Sequence, residues 1–404
     1  MVAPKRKIIN DPVYGFITIN HPLIFSILAH PYYQRLRRIT QMAMGQLVYP
    51  GAVHTRFHHS LGAYHLMGNA VNELRSKGTI ITEEEEIAVK AAILLHDIGH
   101  GPYSHALEHV VVKGVHHEAL SLQIMHEMNA AFDGQLTLAI QIFTGAYHKP
   151  FLHQLISGQL DVDRMDYLSR DSFFCGVSEG VIGYDRILKM LIVVDGQLMI
   201  EEKGIYSVEK FLVARRQMYW QVYLHKTVLS AEKMLVKILE RARSLYTNSD
   251  AAMQTQSALD YFLGTFNGSM DAYALAQFCA LDDHDIMHAI KRWSAHPDKV
   301  LSLLCSRFLT RKLYKTTIQS EPFLATTIAA KQKESIEALD VDASEVDYVC
   351  FTGEATNTIY QTKDERINIL FKDGSIKDIS LIDNALIHQN LSAAVKKNYI
   401  CQLL

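Results

Sequence analysis

A chain of 404 residues with 49% apolar and 21% charged side chains has a globular composition and length enough for two or more domains. Its net charge of -3 offers no overall attraction to nucleic acid or to an anionic membrane, so any anion must be bound locally. Cys175, Cys279, Cys305, Cys350 and Cys401 are odd in number and scattered, which excludes a disulfide framework; with no secretory signal and no run of ~18 apolar residues, a soluble cytoplasmic protein is expected.

In chain order, residues 7–15 read as a turn and residues 16–20 as a short strand. Helical spacing begins at Leu23, Ile24, Ile27 and Leu28, breaks at Pro31, and resumes over 32–44 with Gln34, Arg35, Arg37, Arg38 and Gln41 among apolar positions. Taken alone, those arginines suit a solvated helix face. Pro50 and Gly51 mark a turn, and Thr55 is the expected cap of a second apolar helix carrying Arg56 and His59. A histidine so placed serves packing or capping as readily as ligation. Thr82 followed by Glu83, Glu84, Glu85 and Glu86 is an acidic first turn, favourable at a helix amino end.

The helix that follows is apolar nearly all round from Ile87 to Leu95, Lys90 excepted, which marks it as buried. It carries His96 and Asp97 into the interior, where a charge must be paired or bound to metal. Gly99, Gly101 and Pro102 stop it, and His96 and His100 share one side if the last turn persists. The His96–Asp97 pair alone reads more readily as a hydrogen-bonded helix end than as a metal site. His116 and His117 open another helix. Asp163, Tyr167 and Asp171 then recur at spacings of four, with Arg164 and Asp166 beside them and Val162, Met165 and Leu168 on the buried face. A solvated acidic helix would show the same run.

Asp195 and Gly196 turn a hairpin, and residues 206–246 form one long amphipathic helix or two. A domain boundary is placed there, dividing the chain into 1–245 and 246–404. Helices continue to about residue 309; within them His284–Asp285 reads as a cap, not a metal site. Strands are expected at 346–351 and 367–371, the second turning through 372–375 into Ile376. The fold class is mainly α, with small β-hairpins and a C-terminal α+β region. There is no glycine-rich phosphate loop and no serine nucleophile elbow.

His59, His96–Asp97 and Asp163 thus stand at helix ends on three separate segments. Two imidazoles with two carboxylates suit a divalent cation such as Mn, Fe, Zn, Mg or Ni, with positions left open for water and a phosphate oxygen. That ordered set resembles the signature of the HD-domain phosphohydrolases, whose fold is a helical bundle. Within that superfamily, residues 9–12, 33–37, 49–52, 56–62, 96–105, 117–118 and 161–171 are similar to the deoxynucleoside triphosphate triphosphohydrolases.

The resemblance implies that His59, His96, Asp97 and Asp163 bind the metal. It implies that His100, His105 and His117 surround the phosphates, one of them donating a proton or orienting the attacking water. Arg56, Arg164 and Tyr167 would hold the triphosphate, and Gln41 and Asp171 the deoxyribose. The implied reaction turns a dNTP and water into a deoxynucleoside and tripolyphosphate. A nucleotide activator is implied too, at Lys7, Asn10, Gln34, Arg37, Arg311 and Lys315, together with a homodimer or homotetramer. This chain departs from the pattern in two places. Trp220 and Gln221 stand where a second arginine is expected, and Ala29 stands where an acidic residue would read an activating guanine. Two alternatives stay open: a phosphohydrolase of another nucleotide or phosphate ester, and a nucleotide-sensing regulator without turnover.

Overall fold

The computed structural model describes residues 6–112, 114–247, 250–357, 366–382 and 395–404, the side chains of His105, His109 and Asn357 excepted. Five helices position the site: α1 (Arg56–Ser76), α2 (Glu83–Leu95), α3 (Val162–Cys175), α4 (Lys226–Leu245) and α5 (Asp283–Trp293). α1 lies at the centre and packs on both α2 and α3. The apolar run of α2 explains its place, since Val89 and every residue from Ala91 to Leu95 is fully buried.

The helix starts follow the capping chemistry of the sequence. Thr82 accepts the Glu85 N–H at 3.1 Å while the Glu85 carboxylate accepts the Thr82 N–H at 2.8 Å, which fixes the first turn of α2. At the start of α1 the Thr55 N–H donates to His58 Nδ1 at 3.1 Å. Asp161 caps α3 by accepting the Arg164 N–H at 2.7 Å, and Gly176, at φ 68°, closes the other end.

Gly62 lets α1 and α3 cross closely. A Cβ at that position would lie 1.9 Å from Asp166 Oδ1 and 2.1 Å from Arg170 Nη2. Arg170 is wholly buried, and carboxylates answer it on both sides: Nη1 meets Asp11 Oδ2 at 2.8 Å and Nε meets Asp166 Oδ2 at 2.9 Å. A buried guanidinium tolerates the interior only when paired in this way.

Three small sheets surround the helices. β1 (Lys7–Asp11) and β2 (Gly15–Ile19) form an antiparallel hairpin. β3 (Leu191–Val194) and β4 (Gln197–Glu201) form another, turning at Asp195 and Gly196 with φ 50° and 77°. β7 (Asn368–Leu370) joins β4 in parallel and pairs on its other edge with β8 (Ile376–Asp378). β5 (Lys315–Gln319), β9 (Val395–Gln402) and β6 (Cys350–Asn357) make the third sheet, with β9 central. Buried apolar residues from Ile17 to Leu403 belong to one cluster, so the two sides of residue 246 share a core. No helix among the described residues is long and apolar enough to cross a membrane.

Several expectations change. Residues 7–11 are a strand rather than a turn. The helix expected over 32–44 leaves α geometry after Gln34, tightens over Arg35–Arg38, and ends where Thr40 pairs with Thr55 and Ala43 turns at φ 43°. The cause is distant: the Thr40 N–H donates to Asp283 instead of to its own helix. α2 stops at Leu95, so His96 is its C-cap rather than part of a continuing turn. The long helix over 206–246 divides into Ile205–Gln217, a wide π turn at Met218–Tyr223, and α4. Residues Val346–Val349 form a helical turn, and the strand begins only at Cys350.

Gly62→Ala is expected to destabilise the protein by at least about 3 kcal/mol, because the added methyl enters a buried ion pair rather than a void. A thermal melt followed by circular dichroism checks this; an unchanged midpoint would show that α1 and α3 are not in close register.

Candidate active site and metal centre

Three helix ends bring the ligand candidates together. His59 stands in the first turn of α1, His96 and Asp97 follow the last residue of α2, and Asp163 lies in the first turn of α3. His59 Nε2 is 3.0 Å from Asp163 Oδ1, His96 Nε2 is 3.4 Å from the same oxygen, and the two Nε2 atoms are 3.3 Å apart. His59, His96 and Asp163 therefore form one group whose ligand atoms all lie within 4.8 Å of one another. Asp97 also reaches inward, at 3.4 Å from His96 Nε2 and 3.6 Å from His59 Nε2. Its carboxylate is shared, for Arg56 Nη1 binds Oδ2 and His100 Nε2 lies 3.3 Å from Oδ1.

The outer partners of the two imidazoles decide their chemistry. His59 Nδ1 is 2.8 Å from Asp166 Oδ2, and His96 Nδ1 is 2.6 Å from the Ile93 carbonyl. Both partners are acceptors, so each Nδ1 donates its proton outward and each Nε2 faces the carboxylates, where it holds either a cation or a second proton. Burial pulls the His59 imidazole down, but Asp163 and Asp166 overcome it and raise the group to about 10. His96 is raised against burial by Asp97 and Asp163. The Asp163 carboxyl, despite burial, is held far below the usual range by His59 and His96. This donor set demands positive charge. An imidazole whose other nitrogen donates to a carboxylate or carbonyl is the usual form of a metal ligand, so the residues present fit a divalent cation.

Beside the cluster opens a cavity of about 590 Å³, within the ~300–1,000 Å³ range of small-molecule sites. Asp97, Asp163, Arg56, His100 and His117 line its deep end. The His100 and His117 rings stack at 4.0 Å, and Glu108 Oε1 accepts from His117 Nδ1 at 2.7 Å and from its backbone N–H at 3.0 Å. Arg164, Tyr167 and Asp171 line one flank, as their common helical face predicts. Arg164 Nε donates to the Gly158 carbonyl at 2.7 Å. Asp171 accepts from His54 Nε2 and from the Tyr223 hydroxyl, each at 2.7 Å. Gln41 also lines the cavity, and its Oε1 is buried with no hydrogen-bond partner among the described residues. Tyr219 and Tyr223 from the π turn, with Val228, Glu232 and Val236 from α4, form the other wall.

Of the candidate residues, His105 falls in the turn Ser104–Ala106, but its side chain lies outside the described set. Arg56 is not simply aimed at a phosphate, since Nη1 holds Asp97 and Nε donates to Ser104 Oγ at 2.7 Å. The activator candidates lie on several elements. Gln34 Oε1 accepts from Arg37 Nε at 2.9 Å, and the Arg37 guanidinium stacks on Phe57. Arg311 holds the Leu47 carbonyl at 2.9 Å. Lys315 lines a groove with Lys226, Lys397 and Trp220, while Lys7 and Asn10 sit in β1.

Sequence reasoning missed His54, Glu108, Asp166 and Tyr223 as supports, and Arg215 altogether. The guanidinium of Arg215 acts electrostatically on Tyr167 and Arg164 and donates to Gln159 Oε1 at 3.1 Å. Arg215 lies in the helix that precedes Trp220 and Gln221. Its signal was the Arg215–Arg216 pair at the end of that amphipathic segment.

Comparison with known proteins places this geometry. The pattern described as HD domain matches residues 56–171, and one described as HD associated region matches 182–261. The chain is 31% identical to the uncharacterized protein YwfO of Bacillus subtilis over 390 residues, covering 93% of this chain and 87% of that one. The crystal structure of a phosphohydrolase from Bacteroides thetaiotaomicron superposes with a TM-score of 0.92 at 49% identity, over 98% of this chain and all of the other. This chain belongs to the HD-domain phosphohydrolase superfamily. The cattle deoxynucleoside triphosphate triphosphohydrolase SAMHD1 is 26% identical, over 100% of this chain and 73% of its own length.

As an HD-domain phosphohydrolase, the protein is a metal-dependent hydrolase of a phosphorylated substrate. The HD match begins at Arg56 and ends at Asp171, so it holds all four ligand candidates. The associated region holds Tyr223 and Glu232, which line the cavity, and Arg215 behind them. In this phosphohydrolase, Asp166→Asn leaves an oxygen for Arg170 but weakens the anchor of the His59 ring. Metal affinity should fall by about 10–100-fold. Calorimetric titration of the metal-free protein with manganese measures it, and unchanged affinity would remove His59 from the ligand set.

Proposed function

We propose that this protein hydrolyses deoxynucleoside triphosphates to deoxynucleosides and tripolyphosphate. One observation carries the reading: Gln41, Arg56, Arg164, Tyr167 and Asp171 all line the same cavity as Asp97, Asp163, His100 and His117. His59, His96, Asp97 and Asp163 would hold the cation. When bound, it supplies Lewis acidity at the α-phosphate and lowers the pKa of water.

The remaining work belongs to side chains. Arg56 and Arg164 offer forked donors to the phosphate oxygens, with Arg215 adding charge behind Tyr167. His117, whose Nδ1–H is held by Glu108, gives its Nε2 proton to the 5′ oxygen as the bond from that oxygen to phosphorus breaks and the bond from phosphorus to water oxygen forms. The proton that the water loses passes to solvent, from which His117 is reprotonated. Asp171, fixed by His54 and Tyr223, accepts from the 3′ hydroxyl, and the Gln41 amide contacts the same sugar through an N–H that can donate to that hydroxyl's oxygen. Tyr167 closes the face of the sugar. Residues 246–404 would serve oligomerisation or regulation in a homodimer or homotetramer. A nucleotide activator would place its phosphates near the basic groove of Lys226, Lys315 and Lys397.

A panel of dNTPs, NTPs and monophosphates with manganese tests the reading. Tripolyphosphate should be released from dNTPs; inorganic phosphate from a monophosphate would make this a hydrolase of another ester, and no product from any substrate would leave a nucleotide sensor. Asp97→Ala should abolish turnover, and survival of turnover would take the cation out of the reaction.

Glu232 supplies a pH dependence. Burial pushes its carboxyl up to about 7, with Lys233 opposing. Below neutrality it is protonated and offers a donor; above neutrality it only accepts. The ratio of kcat/KM for dGTP, which presents adjacent N1–H and N2–H donors to a carboxylate, to that for dCTP, which sets one amino donor beside two acceptors, should therefore rise as pH passes upward through neutrality. Glu232→Gln should flatten that rise. An equal rise in the variant would place the carboxyl away from the base.

A further inference from the structure

Asp283 opens α5, outside both matched segments, yet its side chain takes no part in capping its own helix. Asp282 does that, accepting the His284 N–H at 2.9 Å, and Asp285 closes the turn by accepting the Asp282 N–H at 2.8 Å. The Asp283 carboxylate is 7% exposed and points instead into the catalytic region. Oδ2 accepts from both the N–H and the hydroxyl of Thr40, each at 2.8 Å, and Oδ1 accepts the Tyr103 N–H at 2.7 Å. A buried carboxylate with three donors is fully answered, and removing it would leave those donors stranded.

Each of the two segments it holds carries a residue of the cavity. Thr40 precedes Gln41, whose N–H donates to the His54 carbonyl at 3.0 Å. Tyr103 precedes Ser104, and both adopt left-handed backbone angles, φ 52° and 51°, that non-glycine residues avoid. That conformation brings Ser104 Oγ to accept from Arg56 Nε at 2.7 Å and to donate to the Thr40 carbonyl at 3.2 Å. Arg56 in turn holds Asp97. The bonds run without a gap from Asp283 through Thr40 and Ser104 to Arg56 and Asp97.

We infer that Asp283 is a positioning residue for the reaction: through Thr40 and Tyr103 it sets Gln41 and Arg56 relative to the metal ligands. The C-terminal part of the chain thereby completes the active site without touching substrate. The inference rests on the phosphohydrolase reading of the cavity but not on the identity of the nucleotide.

The test uses full-length Asp283→Asn and Thr40→Val. Asparagine keeps one acceptor oxygen and puts an amide where the other accepted. Valine keeps the carboxylate and both backbone donors and removes only the hydroxyl. With the substrate that wild type turns over best, Asp283→Asn should lower kcat/KM by at least about tenfold, since small misplacements of catalytic groups cost that much. Thr40→Val should lower it less, and the double variant should be no worse than Asp283→Asn alone, because both act through one contact. Manganese affinity should stay near wild type, the melting temperature of Asp283→Asn should fall while the protein remains folded at the assay temperature, and hydrogen exchange should speed up at the amides of Thr40, Gln41, Tyr103 and Ser104. Unchanged kcat/KM with faster exchange at those amides would overturn the inference. So would a loss of activity no larger than the fraction of protein unfolded. If Asp283→Asn does not fold, Thr40→Val with the same readouts decides. Wild type that prefers another phosphate ester would sink the dNTP reading and leave this test intact.

Discussion

Two imidazole nitrogens 3.3 Å apart, each with its proton committed to the far side of the ring, cannot sit among carboxylates without a positive charge between them. That electrostatic demand is the constraint around which the rest of the molecule is arranged. Asp166 and the Ile93 carbonyl fix the rings, Arg170 and Asp11 fix Asp166, and Gly62 lets the two helices carrying these groups come close enough. Each layer is buried, so each charge is answered by another rather than by water.

The cavity is polar at one end and aromatic at the other for the same reason. Its deep end inherits the carboxylates and histidines of the cluster, which suits phosphate only when a cation and arginines are present. Its other lining comes from the π turn and α4, which contribute Tyr219, Tyr223, Val228, Glu232, Lys233 and Val236. A wide turn in place of a regular helix is a common device where side chains must be aimed at a ligand. Here it brings the Tyr223 hydroxyl to Asp171.

Much of the site could be read in the sequence because its signals are local. Thr82 with an acidic first turn, the apolar run before His96, and the spacing of Asp163, Tyr167 and Asp171 each declare a helix and a face within a few residues. Residues 32–44 could not be read that way. Their spacing is helical, but the donors of Thr40 are claimed by a carboxylate 243 residues away, and no local pattern reports such a bond. Arg215 was hidden because the helix carrying it is interrupted before it meets the cavity. Asp283 looked like one more acid in a capped first turn, and nothing nearby marks it as different from Asp282 or Asp285. The parallel pairing of β7 with β4, across 168 positions between Ile369 and its partner residue, lay beyond any periodicity argument for the same reason.

Asp283 lies 180 residues after Tyr103, and this separation bears on how the protein comes into being during synthesis. A chain that has left the ribosome as far as the end of α3 already holds all four ligand candidates and could close around a cation. The backbone at Tyr103 and Ser104, strained by about 1–3 kcal/mol per residue, has at that stage no carboxylate to hold it. The candidate ligands are thus synthesised well before the carboxylate that completes their surroundings, and the finished geometry waits for α5.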